Sequence, residues 1–320
     1  MINRLREREE NRSVIKHIRE LIPGASPEIR GRDVAVLPTG EAAFLLSTSA
    51  VAENVHDAWD EALYRYIISG SMPDAARIRL LLKKNAGEAE AKKEAAVANG
   101  LAELAVGENR TKIQILSLDV NLSNSLDESI CEVTFIGRAD RDPYESAREK
   151  KALAGLSLVC VGNAGVYGSR QLYEDHEEEM RQSYGLTFSE LSLTRLKKKP
   201  RPEAVLDIIN RHPDIRLVKS FGHGGVYGGL WQLSQIIGTG LTIRQRDIPV
   251  LQETVETAEH FNQNPYMLYS SGCFVMVCEA AEQIVKECIS IGIPAADIGN
   301  VSEQDACLIE ESGRHLTPVE

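Results

Sequence analysis

The sequence predicts an α+β protein built from two domains. Three observations carry this expectation. Apolar strand-like runs alternate with helix-like runs in both halves of the chain. The 320 residues are too many for one typical domain and suit two. A polar stretch, DRDPYESAREKK at 140–151, separates the halves. The expected division is an N-terminal mixed-sheet domain over 1–150 and a C-terminal α/β sandwich domain over 151–320.

The elements follow in order. Residues 2–22 read as a helix with Leu5, Val14, Ile15, Ile18, Leu21 and Ile22 on its apolar stripe, for packing or dimerisation. GRDVAVLP and AAFLLSTSAV read as two strands about a turn at Thr39-Gly40. NVHDAWDEALYRYIISG reads as a helix closed by Gly70. MPDAARIRLLLKK and EAEAKKEAAVANGLAELAVG read as helices, the second rich in alanine and glutamate and partly solvated. TKIQILSLDVNLS and SICEVTFIGRA read as strands.

In the second half, ALAGLSLVCVGNAGVYG is a buried strand followed by a glycine turn. Residues 169–184 and 201–212 read as helices, with RLKKKPRP between them as a basic hinge. IRLVKSF is a strand that runs into SFGHGGVYGGLWQLSQIIGTG, helical from Val226. GLTIRQ, a helix over 249–262, the strand GCFVMVC, a helix over 279–291 and the strand ACLIEE complete the pattern.

Composition narrows the function classes. The formal charge of −11 argues against wide contact with nucleic acid phosphates. No apolar run approaches the roughly 20 residues of a membrane span. The opening residues are charged and amphipathic, unlike a secretory leader, so a cytoplasmic location is the expectation. Six scattered cysteines without a CxxC pair fit reduced thiols. None of the seven histidines is closely spaced with another or with a cysteine, so no zinc site is expected.

Two segments share a pattern. GNAGVYG at 162–168 and GHGGVYG at 222–228 both follow an apolar strand and both contain Gly-x-x-Gly-Val-Tyr-Gly. Two readings stay open for these glycines. Backbone amides at a helix start can face a phosphate, or the absent side chains can let backbone pack closely. His223 is an anion contact, a general acid or only a turn residue, and Tyr167 and Tyr227 read first as core residues.

The order of motifs resembles the aminoimidazole ribonucleotide synthase-like superfamily, including thiamine monophosphate kinase and the hydrogenase maturation carbamoyl dehydratase. GRDVAVL at 31–37 resembles the family's GDDAAVL, and STSAVAENVH at 47–56 resembles STDxLVEGVH. ALYRYIISGSMP at 62–73 resembles the helix ANLSDLAAMGAxP. KKALAGLSLVCVGNAG at 150–165 resembles the segment that opens the family's second domain. SFGHGGV, SQI, GTGLTI and IPV follow the order of the family's DPTRGGL, NEI, SGVGI and IPV. The resemblance implies a two-domain α+β fold, ATP and magnesium bound between the domains, and a homodimer joined through the N-terminal domains.

This sequence departs from the pattern at the metal-binding carboxylates. Asp33 remains, as the single candidate metal ligand. Arg32, Ser49, Ala62, Arg65 and Ser220 stand where the family has Asp, Asp, Asn, Asp and Asp. These changes shift the site by roughly +6 charges relative to the pattern. Magnesium wants several oxygen ligands, so it is doubtful here. The resemblance therefore implies a divergent protein that binds a nucleotide or another phosphorylated metabolite, with weak or no magnesium-ATP hydrolysis. Arg32, Asp33, Arg65, Gly162, Asn163, His223, Gly224 and Gly225 are the candidate ligand-binding residues. The alternative is an ATP-dependent enzyme of the hydrogenase-maturation or thiamine-phosphate kinase type. Its metals would be held by other carboxylates such as Glu53, Asp57, Asp60 or Asp119.

Overall fold

The computed structural model describes residues 32–39, 43–103 and 113–317. The helix expected over 2–22 lies outside the described residues. Two compact units form. The first holds Asp33–Pro143 and Pro202–Asp207, and the second holds Arg32, Tyr144–Arg201 and the chain from Ile208 onward.

In the first unit the described strands form a sheet in the order β1-β2-β5-β3-β4. They are β1 (Ala35–Pro38), β2 (Phe44–Ala52), β3 (Ala75–Lys83), β4 (Gln114–Ser123) and β5 (Ile130–Ala139). β3 and β4 run parallel and the other neighbours antiparallel. Helix α1 (Val55–Tyr66) packs on one face, where Trp59 meets the Phe135 ring edge-on at 4.8 Å. Its start is capped twice. The Asn54 side chain accepts from the Asp57 amide at 2.9 Å, and Glu94 of α2 (Glu88–Glu103) accepts from the Val55 amide at 2.9 Å.

The helix expected over MPDAARIRLLLKK is instead the strand β3. Its burial has period two: Ala76, Ile78, Leu80 and Leu82 are buried while Arg77 and Arg79 are exposed. Helix-favouring residue types yield to tertiary pairing, because β3 forms ladders with β5 and β4 on its two sides. Each large apolar side chain it buries contributes about 1.5–3 kcal/mol. β2 lies inside the sheet, and β1 and β4 are its edge strands among the described residues.

The second unit carries a sheet in the order β12-β11-β8-β10-β6-β9-β7 among the described residues. Its strands are β6 (Ser157–Val161), β7 (Leu217–Ser220), β8 (Leu241–Ile243), β9 (Phe274–Cys278), β10 (Ala295–Val301), β11 (Leu308–Ile309) and β12 (Arg314–His315). All five residues of β9 are buried, which explains its unbroken apolar run FVMVC. Helices α3 (Lys150–Leu153), α4 (Val166–Asp175), α5 (Glu177–Tyr184), α6 (Leu186–Leu196), α8 (Gly225–Ile237), α9 (Gln252–His260) and α10 (Ala281–Ser290) join them, while α7 (Pro202–Arg211) begins in the residues Pro202–Asp207 of the first unit.

One sequence expectation changes here, and two elements appear that the sequence reading lacked. The helix expected over 169–184 is two helices broken at His176, and Glu177, Glu178 and Glu179 open the second, where carboxylates favour a helix N-terminus. The basic hinge is preceded by α6, whose Leu196 packs with Val166, Tyr173 and Met180. IPAADIGNV contains the strand β10, masked in sequence by polar residues and by a register shift between Asp297 and Gly299.

Candidate functional site

In the first unit, the resemblance-derived positions 33, 48, 49 and 65 come together. Asp33 is buried, and its backbone carbonyl accepts from Thr48 Oγ1 at 2.6 Å. Arg65 sits near the end of α1, one turn after Glu61. Its guanidinium donates through Nε to Glu61 Oε1 at 2.8 Å, and its Nη2 lies 2.7 Å from the same oxygen. Its Nη1 donates to the Ser49 carbonyl at 3.2 Å. A cation therefore stands at the backbone of the residue that replaces a family carboxylate. The carboxylate that holds it, Glu61, is buried at 4% exposure and was missed by motif reasoning. The i, i+4 spacing of Glu61 and Arg65 on a helix was the signal that could have found it. Ala62 is wholly buried in the core.

The alternative metal ligands are not assembled. Asp119 of β4 and Arg77 of β3 pair at 3.0 Å, both side chains exposed. Asp57 accepts from the Asn54 side-chain amide at 3.1 Å in the first turn of α1, and Asp60 faces His56 at 3.8 Å. No group of three His, Cys, Asp or Glu side chains is placed to hold a metal ion among the described residues.

In the second unit, Arg32 lies over the Tyr144 ring, 4.5 Å from its centroid. The two glycine turns lead from β6 into α4 and from β7 into α8. β9 lies between β6 and β7 and runs antiparallel to both, so the two turns leave the same end of the sheet. The segment 264–272, which leads into β9, packs against both turns. Gly165 N donates to Ser270 Oγ at 2.8 Å, and Gly168 N donates to the Tyr269 carbonyl at 2.9 Å. Tyr227 N donates to the Tyr266 carbonyl at 3.2 Å.

The glycines answer to this close packing. Gly162 has φ +93, and a Cβ there would stand 2.7 Å from the Gly272 carbonyl. At Gly225, with φ +64, a Cβ would press on the Tyr266 carbonyl and stand 2.7 Å from that of Leu268. The Gly225 amide donates to the Gly222 carbonyl at 3.0 Å. At Gly225 the chain's own backbone thus holds the space that an anion cradle would need. Gly224, also left-handed at φ 79, caps α8, and Asn163 is half-buried in the first turn.

His223 stacks on Tyr269 with ring centroids 4.2 Å apart and planes 16° apart. Tyr269 meets Tyr167 at 4.7 Å, edge to face. Arg170 and Lys199 both lie over the Tyr167 ring. Tyr269, Arg170 and Lys199 carried no motif and were missed in sequence, because their meeting depends on three distant segments.

No protein-family profile and no curated protein matches this sequence. Solved structures do match it in fold. Thiamine monophosphate kinase from Aquifex aeolicus aligns with a TM-score of 0.69 at 18% identity, covering 98% of this chain and 100% of that one. AaThiL complexed with AMPPCP and TMP gives 0.70 at 16% identity, over 98% of this chain and 99% of that one. The hydrogenase maturation protein HypE of E. coli gives 0.68 at 17% identity, over 97% and 98%. The described residues thus have the two-domain α+β fold of these structures, as the motifs implied.

Proposed function

We propose that this protein binds a nucleotide or another phosphorylated metabolite without a metal ion, and hydrolyses magnesium-ATP slowly or not at all. The carrying observation is the Arg65 guanidinium, held by Glu61 and donating to Ser49, at a position where the resembled family places a carboxylate. Arginine meets phosphate oxygens through a planar fork of donors and carries its charge at every physiological pH. A fixed guanidinium supplies positive charge in place of an ion. It offers no vacant coordination position, so it supports binding better than metal-assisted phosphoryl transfer. The nucleotide class is supported by AMPPCP in a structure of the same fold. Asp33 completes the proposed set in the first unit, and Arg32, Asn163, His223 and Gly224 are a separate candidate set in the second.

The test is calorimetry with ATP, ADP and ribose 5-phosphate in EDTA, beside an assay of ADP release with magnesium. Binding in EDTA is expected. It is expected to weaken about tenfold or more in Arg65→Ala, as charge-assisted hydrogen bonds contribute about 1.5–3 kcal/mol. The double variant Glu61→Gln/Arg65→Ala avoids leaving a buried carboxylate without its arginine and separates folding from binding. ATP turnover near 1 per second, the scale of a working enzyme, would overturn the reading. It would favour the second one, an ATP-dependent enzyme like the kinase whose fold spans nearly the whole chain.

A homodimer through the first unit, in the cytoplasm, belongs to the same proposal. Leu37 and Val51, 58% and 43% exposed, lie on the sheet face opposite α1. Light scattering at micromolar concentration should give twice the 35.3 kDa chain mass. A monomer would exclude the dimer.

A further inference from the structure

The two copies of the glycine turn diverge directly after their shared Val-Tyr-Gly. The second copy continues with Leu230 and Trp231, and Leu230 is wholly buried. The first continues with Arg170 and Gln171. Packing alone is served by the apolar version. The polar version builds something else.

Arg170 lies over the Tyr167 ring, 4.6 Å from its centroid, and only 14% of its side chain is exposed. Lys199, from the basic run after α6, lies 5.0 Å from the same centroid. Gln171 Nε2 donates to the Tyr167 hydroxyl at 3.4 Å. Glu174 is shared between Arg170 at 3.6 Å and Lys197 at 3.4 Å. Tyr167 also meets Tyr269, which stacks with His223. The ring quadrupole attracts each cation, but two cations on one tyrosine repel each other. An anion between them removes that repulsion and accepts from both. The ends of sheet strands where helices begin are also where α/β folds place their ligands.

We propose that Arg170 and Lys199, seated on Tyr167, form a phosphate-binding site of the second unit. This rests on the phosphorylated-ligand reading above and adds a basic pair that no motif of the sequence indicated. The preceding lysines, Lys197 and Lys198, raise the local positive potential and so the encounter rate.

The test titrates inorganic tripolyphosphate and ATP in EDTA into the full chain. It compares the unmodified protein with Lys199→Ala, Lys199→Arg and Arg170→Gln. Both charge-removing variants should weaken tripolyphosphate binding by about tenfold each. Lys199→Arg should restore most of it, and added salt should weaken the unmodified protein more than either variant. If the Arg170 variant fails to fold, the half-buried Lys199 decides alone. Unchanged binding in Lys199→Ala overturns this inference and leaves the proposed function standing. No binding of either probe by the unmodified protein overturns both.

Discussion

The turns at 162–168 and 222–228 share a sequence pattern and one left-handed glycine, yet their surroundings differ. Gly165 and Gly225 occupy equivalent positions with φ of +69 and +64. Each leaves room for a carbonyl of the 265–268 segment, where a Cβ would collide. The side chains that follow are apolar in the second copy and basic in the first. The repeated glycines therefore report how backbone packs against backbone. Ligand chemistry is better sought in the side chains that differ between copies, Arg170 against Leu230 above all.

The largest expected effect tests the shared part of this comparison. Gly225→Ala and Gly165→Ala should each destabilise the protein by about 3 kcal/mol or more, from left-handed strain plus collision with backbone oxygen. Gly155, at φ +82 with nothing within 4 Å of a built Cβ, is the control, and its alanine variant should cost about 1–2 kcal/mol. Denaturant melts measure all three. If Gly165→Ala behaves like the control, the two turns are not equivalent.

A smaller effect sharpens the difference. His223→Ala removes a ring stack on Tyr269 and should cost about 0.5–1.5 kcal/mol. The equivalent residue of the first copy, Asn163, makes no ring contact, so Asn163→Ala should cost less. Equal losses would mean that the stack contributes nothing.

The smallest effect concerns pH. Burial pushes the thiols of Cys131 and Cys278 up from the ordinary 9.0 to about 12. Both then hold their protons longer in the folded than in the unfolded chain. Their contribution is complete below pH 9 and is lost as pH rises toward 12. Melting temperature should therefore decline above pH 9 and stay level between pH 7 and 8.5, and Cys131→Ser/Cys278→Ser should flatten that decline. Cys160 and Cys273, whose sulfurs lie 3.7 Å apart beside the first turn, are fully buried too. Native labelling at pH 8 should spare them. Faster labelling of this pair than of Cys278 would show that the first turn opens.

Much of the fold was legible because its signals are local. The apolar run FVMVC, the glycine stop at Gly70 and the spaced motifs each depend on a few neighbouring residues. The strand β3 was not legible, since ARIRLLLK suits either period and its two neighbouring strands decide. The break at His176 and the strand β10 were hidden for similar reasons: a polar boundary in one, a bulge in the other. In the candidate site, the lost carboxylates and Arg65 were readable from motif positions. Glu61, Tyr269, Arg170 and Lys199 were not, because side-chain pairing across elements leaves no motif in any single segment.

The most direct measurement compares ATP affinity in EDTA with that in excess magnesium, on the full chain by calorimetry. A guanidinium in place of the ion predicts dissociation constants equal within about threefold, or weaker binding with magnesium because the ion neutralises phosphate charge. Binding at least tenfold tighter with magnesium, or seen only in its presence, would contradict the claim that Arg65 stands in for the metal.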